Sequence, residues 1–550
     1  MITEEKLINF ERILIFLSIL FLPLFRIPQK YSLPILGGNV SKWFYYLSVI
    51  VIIYEFIKFR FRIPKNFIIY VSVLLGWQIL CSLFGIIRYP YSDYLTVEQF
   101  SNFQKLSAMN LVSDNLIILF LYMLRAIKYT ITENFQYIVL AFLIWHIYQK
   151  KYIQAFKDIR KIILILSIIL CVYSTIELSW LKFGSDTAKW LLTIINPILY
   201  DPASGHGWWP PLLWIGRVRS LFPEPSFFGI VAVFSLPFLW SYLVDRNYAL
   251  KEYILFSFLI FYFTILIAAT NARTAVVITV IELFLLFIST LFVREKRYAF
   301  QVFSIIVISL CAFGVNLINP QALIYQSLHS QQSVSTSSQQ TSKGKSSNPT
   351  PNNKKQNNVG NSNKKGESVV NSADKYVDRT ITSLVSTKKF SNNNRLAYLL
   401  ADLDTIKENP IMGVGLDLKN AYIDSHIPQF AKENREVKGW HEDMLNRGIF
   451  KGGYPSLNKY ADIAAETGII GLVIFLGLDF YVLFNLLKLK MNVVKNPIII
   501  TLFISMIAMF ASGISNSNYS ECIGYIIGIL LCFLHNYKFK DLSKKENYRT

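Results

Sequence analysis

Residues 252–293 read EYILFSFLIFYFTILIAATNARTAVVITVIELFLLFISTLFV. Two apolar runs, 252–269 and 275–293, flank the short polar turn Thr270 to Thr274. A helix needs roughly 20 apolar residues to cross the hydrocarbon core of a bilayer, and each run supplies about that length. With so short a connection the two runs must cross side by side in opposite directions. Arg273, in the turn, must then sit at or just below the membrane surface. The pair sets the reading of the whole chain as an all-α polytopic membrane protein.

Composition agrees. Of 550 residues, 53% are hydrophobic, 15% aromatic and only 16% charged, against about 25% charged in soluble domains. An ordinary soluble enzyme and a disordered scaffold are both excluded. Further apolar runs at 11–25, 43–58, 66–87, 134–149, 161–179, 224–244, 299–318, 463–485, 497–513 and 519–536 bring the expectation to about twelve transmembrane helices. The first has no small-residue cleavage site after it and reads as a retained span rather than a signal peptide. A thirteenth stretch, 111–124, is short and is followed by Arg125 and Lys128. Basic residues favour the inner side of a membrane. Treating 111–124 as re-entrant or interfacial keeps Lys58 to Lys65, Lys150 to Lys161, Arg294 to Arg297 and Lys488 to Lys495 on that one side, with both termini inside.

The resulting organisation has a membrane domain at 1–318, containing nine spans and an outer loop at 180–223. One large extracytoplasmic loop, 319–462, separates spans nine and ten; the last three spans, 463–536, and a basic cytoplasmic tail, 537–550, complete the chain. A tract at 327–372, rich in Ser, Asn, Gln and Lys, cannot bury enough apolar surface to order itself and reads as a solvated spacer. Beyond it, Leu396, Leu399, Leu400, Leu403 and Ile406 fall at helical spacing, with Asn392 to Asn394 available as caps and Pro410 ending the run. The segment 390–462 is therefore expected to be partly folded. The net charge of +20 comes from clusters between apolar runs, which suits anionic lipid headgroups rather than nucleic acid. Cys81, Cys171, Cys311, Cys522 and Cys532 all lie in apolar segments, so neither a disulfide framework nor a zinc site is expected.

Four segments carry polar residues suited to chemistry. Arg217 to Gly229, RVRSLFPEPSFFG, enters a span from outside with two Arg, a Glu and two Pro. An Arg fork matches phosphate oxygens in pairs, those of a ligand or of lipid headgroups. The turn Thr270 to Thr274 supplies Arg273, a snorkelling residue or, placed beside Arg217 and Arg219, part of a diphosphate clamp. NPIMGVGLD (409–417) offers Gly413 and Gly415 for a turn or close approach. PSLNKYADIAAETGIIGL (455–472) offers Glu466 as a base, an Arg partner or a helix N-terminal charge. Trp190, Trp208, Trp209 and Trp214 suit an interfacial belt. There is no Gly-rich phosphate loop or Cys/His cluster.

Taken in this order, the segments resemble the O-antigen ligase / Wzy-type polysaccharide polymerase family from about Arg217 to Gly471. The likeness lies in E-P-S-F-F-G at Glu224 to Gly229, including Ser226, and in the Asn271 to Thr274 hairpin. It continues through an outer-loop Arg best matched by Arg395, N-P-x-x-G-x-G at Asn409 to Gly415, and Asn458, Tyr460, Glu466, Gly468 and Gly471. Where ligase-like members carry a His, this chain has Leu457, with His426 and His441 upstream in the same loop. The resemblance implies transfer of a glycan from an undecaprenyl-diphosphate carrier to an acceptor hydroxyl on the outer face of the cytoplasmic membrane, without cofactor or metal. It implies Arg217, Arg219, Arg273 and Arg395 on the diphosphate and Glu224, Glu466 or His441 as the base. Polymerisation into exopolysaccharide or capsule is the expected activity, with ligase-like transfer as the alternative. The implied partners are undecaprenyl-diphosphate-linked oligosaccharide, membrane lipids, and flippase and chain-length regulator proteins. A transporter of lipid-linked oligosaccharide is the competing class, for which Glu282, inside its span, is the best midplane candidate.

Overall fold

A computed structural model of the chain describes all residues except 1–3, 34–35, 60, 62, 96–99, 101, 110–111, 135, 201–209, 245–248, 319–389, 490–495, 517–519 and 547–550. The tract 327–372, Trp208 and Trp209 thus lie outside the described residues. Among the described residues the protein is helical and has no β-strand. Nine of its helices are long and apolar enough to cross a membrane, and shorter apolar helices lie at Gln136–Tyr148, Pro497–Gly513 and Glu521–Tyr537.

The helices in chain order are α1 (Glu4–Leu20), α2 (Val40–Phe59), α3 (Lys65–Ile87), α4 (Phe103–Ser107), α5 (Asp114–Tyr129), α6 (Gln136–Tyr148), α7 (Tyr152–Phe183) and α8 (Asp186–Leu199). After them come α9 (Pro225–Val244), α10 (Leu250–Ala269), α11 (Arg273–Val293) and α12 (Lys296–Ile318). Beyond the long connection lie α13 (Phe390–Glu408), α14 (Lys419–His426), α15 (Gln429–Lys432) and α16 (Arg435–Arg447). The chain closes with α17 (Lys459–Phe475), α18 (Gly477–Leu487), α19 (Pro497–Gly513) and α20 (Ser520–Glu546).

α9 occupies the centre. It is apolar on every side and buried along nearly its whole length, as expected of a helix hydrophobic all round. The contact that positions the site is at Gly229, where an added Cβ would lie 2.8 Å from the Cβ of Ala275 and 3.4 Å from that of Ala272. Only a glycine lets the start of α9 come so close to the start of α11.

Two hydrophobic cores result. The larger joins α1, α2, α6, α7, α9 to α12 and the C-terminal helices. The smaller forms a cap at one end of the bundle, uniting Phe103, Ile117 and Tyr122 from the first half with Tyr398, Ile423 and Met444 from beyond the long connection. Gly85, near the end of α3, meets the cap directly; a Cβ there would collide with the backbone at Val414 and Gly415.

The expected short stretch 111–124 is corrected. The helix runs through Arg125 and Lys128 to Tyr129, continues as a π-helical turn at Thr130–Asn134, and is long and apolar enough to cross a membrane over Asp114–Thr132. The two basic residues do not end it, because the Arg125 guanidinium turns to the cap, where Nε donates to Asp417 at 2.6 Å and Nη2 to the Phe450 carbonyl at 2.7 Å. One side of α5 thus faces the cap, while Leu116, Phe120, Leu124, Ile127 and Ile131 form an exposed apolar stripe on the other. α6 then follows α2: Lys42 donates to the Thr132 carbonyl at 3.1 Å, and towards the other end Glu55 meets His146 at 2.9 Å.

Candidate active site at the capped end of the bundle

The segment before α9 is held rigidly. The Glu177 Oε2 of α7 accepts the backbone N–H of Arg219 at 3.2 Å and of Ser220 at 2.7 Å. Val218 N–H donates to the carbonyl of Ala269, the last residue of α10, at 3.1 Å. The indole of Trp214 donates to the Pro223 carbonyl at 2.9 Å. Pro225 opens the helix, a position where its missing N–H costs nothing, and Ser226 Oγ donates to Glu224 Oε1 at 2.7 Å.

These fixtures present Arg217 and Glu224 beside the start of α11. Arg217 and Arg395 lie close enough to Arg273 for their charges to act on it, and Glu224 and Glu436 act likewise on Arg395. Arg395 itself, from α13, is anchored through Nη1 to the Ser515 carbonyl, just beyond α19, at 2.8 Å. Asn271, at φ 50°, closes the turn by donating to the Gly216 carbonyl at 3.1 Å. Arg217 and Arg395 thus both come within electrostatic reach of Arg273 at the capped end, with Glu224 and Glu436 beside Arg395. Like charges held together are costly unless anions offset them, and Glu224 and Glu436 do so in part at Arg395.

Arg219 does not join them, contrary to expectation. It is fully buried, donates from Nη1 to the Pro211 carbonyl at 2.7 Å and from Nη2 to the Leu212 carbonyl at 2.6 Å, and lies over the Tyr200 ring at 4.3 Å. Burial pulls its guanidinium down to about 10, with Glu177 acting in the opposite direction. Residues two apart on a regular extended segment share a side; here Arg219 is instead turned inward to the Pro211 and Leu212 carbonyls.

The glycine motifs form a strap. Val414 N–H donates to the Ala465 carbonyl and Gly415 N–H to that of Glu466, both at 2.9 Å, and Ile469 N–H donates to the Pro410 carbonyl at 2.8 Å. α17 is broken at Gly468, whose φ of 72° frees these groups for the strap. Gly413, at φ 67°, lies so close to the turn that a Cβ would sit 2.4 Å from the Glu466 carbonyl carbon. Glu466 is consequently buried behind the strap, with Oε1 accepting the Asp417 N–H at 3.1 Å. Of the three roles left open for it, base, arginine partner or helix N-terminal charge, burial behind the strap speaks against the base. Asn458 caps α17, accepting from Tyr460 N–H and Ala461 N–H at 3.1 Å, and Tyr460 Oη donates to the Phe510 carbonyl at 3.0 Å. Both serve the architecture. Leu457 packs against the cap core.

His441 lies on α16 and is paired through Nδ1 with Asp424 Oδ1 at 2.6 Å; the same oxygen accepts from Tyr454 Oη at 2.6 Å. A carboxylate on Nδ1 leaves Nε2 as the accepting nitrogen of a neutral ring. His426 is paired with Glu408 at 3.0 Å. A buried network not foreseen from sequence lies beneath the strap. Asp462 receives Lys419 Nζ, Ser456 Oγ and, at 3.0 Å, Tyr398 Oη, while Asp402 is fully buried nearby with neither oxygen hydrogen-bonded. Burial pulls Lys419 down, but Asp462, Glu466 and Asp402 together hold it above its ordinary value. Asp402 is raised well above the carboxylate range by burial and by Asp462. The only sequence signal was an acidic or basic residue at an apolar position of each helix.

The turn bearing Arg273, the helix bearing Arg395, the strap and the kinked α17 belong to one contiguous stretch. Residues 258–476 match the family model described as O-antigen ligase. The O-antigen-ligase region thus begins within α10 and ends just past α17, less than half of the chain, and leaves Arg217, Arg219 and Glu224 outside it. A comparison with curated proteins finds no match. The O-antigen-ligase match supports a lipid-linked glycan transferase of the ligase or polymerase kind, seated in a multi-pass membrane protein.

Proposed function

We propose that this protein polymerises undecaprenyl-diphosphate-linked oligosaccharide repeat units into an exopolysaccharide or capsule at the outer face of the cytoplasmic membrane. The observation that carries the reading is that Arg217 and Arg395 both lie within electrostatic reach of Arg273, with Glu224 beside Arg395. In such a transfer the bond between the sugar's anomeric carbon and the diphosphate oxygen breaks, and the acceptor hydroxyl oxygen replaces it. The departing diphosphate gains negative charge, which the three guanidiniums are suited to stabilise as a fixed clamp. Glu224, held by Ser226, takes the acceptor's proton; His441, oriented by Asp424, is the second candidate for that step.

The test is the size of surface polysaccharide made by cells lacking the gene and complemented with intact protein or with Arg217→Ala, Arg273→Ala or Arg395→Ala. Loss of long chains, with single repeat units still reaching the outer face, supports polymerisation by the clamp. Repeat units trapped on the inner leaflet assign the protein to transport. Normal chain length with failed attachment to a final acceptor assigns it to ligation.

A further inference from the structure

A second group of ionisable side chains lies far from the cap, where α1, α2 and α6 pack together. We infer that Glu11, Glu55 and His146 form a binding site for a divalent transition-metal ion of the zinc kind, one ligand from each helix. Their ligand atoms all lie within 4.8 Å of one another. The residues are 0%, 2% and 6% exposed respectively. His146 Nε2 meets Glu55 Oε2 at 2.9 Å, but neither oxygen of Glu11 and not the second oxygen of Glu55 has a hydrogen-bond partner. The Phe61 ring covers the imidazole at a centroid distance of 4.4 Å.

An isolated carboxylate buried in apolar surroundings is strongly unfavourable, and this site gathers two. A single imidazole for two carboxylates leaves the group short of positive charge. A divalent ion corrects the deficit and satisfies the oxygens that have no donor. One imidazole nitrogen and two carboxylate oxygens, with water in a fourth position, is a donor set zinc accepts at about 2.0–2.2 Å per bond. A tetrahedral arrangement needs ligand atoms roughly 3.4 Å apart, so small side-chain rotations from the observed spread would close it. Glu55 and His146 lie near the ends of α2 and α6 away from the cap, so an ion would reach them from that face. Bound there, it would clip the three helices together, apart from the arginine cluster.

The test uses the full-length protein purified in detergent, stripped with chelator, exposed to Zn²⁺ and separated from unbound metal. Retained zinc is measured together with thermal unfolding, and Co²⁺ is substituted to read its ligand-field absorption. The expected result is about one zinc per chain, a higher unfolding temperature with zinc, and a Co²⁺ spectrum of tetrahedral intensity. In Glu11→Gln, which preserves shape, affinity falls by at least about tenfold and the Co²⁺ bands weaken or shift. His146→Gln provides the second variant, read by Co²⁺ absorption on whatever fraction elutes as folded protein. Retention of zinc by Glu11→Gln equal to that of intact protein overturns the site. So does an intact protein that holds no zinc, and its stabilisation by Glu11→Gln in chelator would then show that protons neutralise the cluster.

Discussion

Arg219 and Arg273 are both arginines beside the same turn, yet the fold commits one to the backbone and leaves the other among like charges. Arg273→Ala is expected to reduce polymer formation by about 10²–10³-fold, as removal of one preorganised donor does elsewhere, with little change in the amount of folded protein. Chain-length analysis beside a Western blot of membranes separates the two quantities. Arg219→Ala should do the reverse, because it leaves Glu177 buried without its cation, a change costing about 3–5 kcal/mol. Reduced yield and a lower unfolding temperature in detergent are its expected signs. Asp402 gives a pH test. Its carboxyl, raised by burial and by Asp462, keeps in the fold a proton that the unfolded chain releases above about pH 4. Stability conferred by that group is therefore present at low pH and declines as pH rises towards the raised value. Asp402→Asn should flatten the fall in unfolding temperature across that range and stabilise the protein at neutral pH; a slope equal to that of the unmodified protein would refute the assignment.

Among the elements, the pairing of the strap with the kinked α17 is the one most exposed to substitution. Gly468→Ala must place a methyl group against the Ile411 carbonyl at φ 72° and ψ 175°, a backbone region essentially reserved for glycine that alone costs roughly 1–3 kcal/mol. The expected outcome is loss of the strap's hydrogen bonds, seen as faster proteolysis around 410–417. Gly76→Ala in α3, where nothing lies within 4 Å of the added carbon, is the matched control and should be harmless. This element shows why sequence reading reached only so far. The apolar runs made the spans legible because twenty residues of hydrocarbon leave few alternatives. The glycines of 413, 415 and 468 were legible as glycines, but not as two halves of one joint, since no local pattern states which distant backbone they must approach. Glu466 shows this: its position left a base, an arginine partner and a helix N-terminal charge all open, and the strap that buries it comes from far earlier in the chain. The same applies to Lys419 with Asp462, and to Glu11, Glu55 and His146, each contributed by a different helix with no shared spacing.

At the scale of the whole molecule, the arginine cluster depends on three separate fixtures: the pinned segment before α9, the close approach at Gly229 and the anchoring of α13 to the Ser515 carbonyl beyond α19. The residues of these three fixtures all lie outside the Ser/Asn-rich tract. Removal of 327–372 should therefore leave polysaccharide length within about twofold of normal, a change typical of surface alterations away from named contacts. Abolished polymer with protein still in the membrane would instead give the tract a direct part in handling substrate.

The cap's core draws on both sides of the long connection, Tyr122 and Phe103 from one and Tyr398 and Met444 from the other, and the larger core does the same with α6 and α20. Covalent continuity between the two sides is then less important than their mutual fit. Two open reading frames, one ending and one beginning inside the tract, should yield fragments that find each other in the bilayer, co-purify and restore the mutant cell's polymer, as a gene split in two.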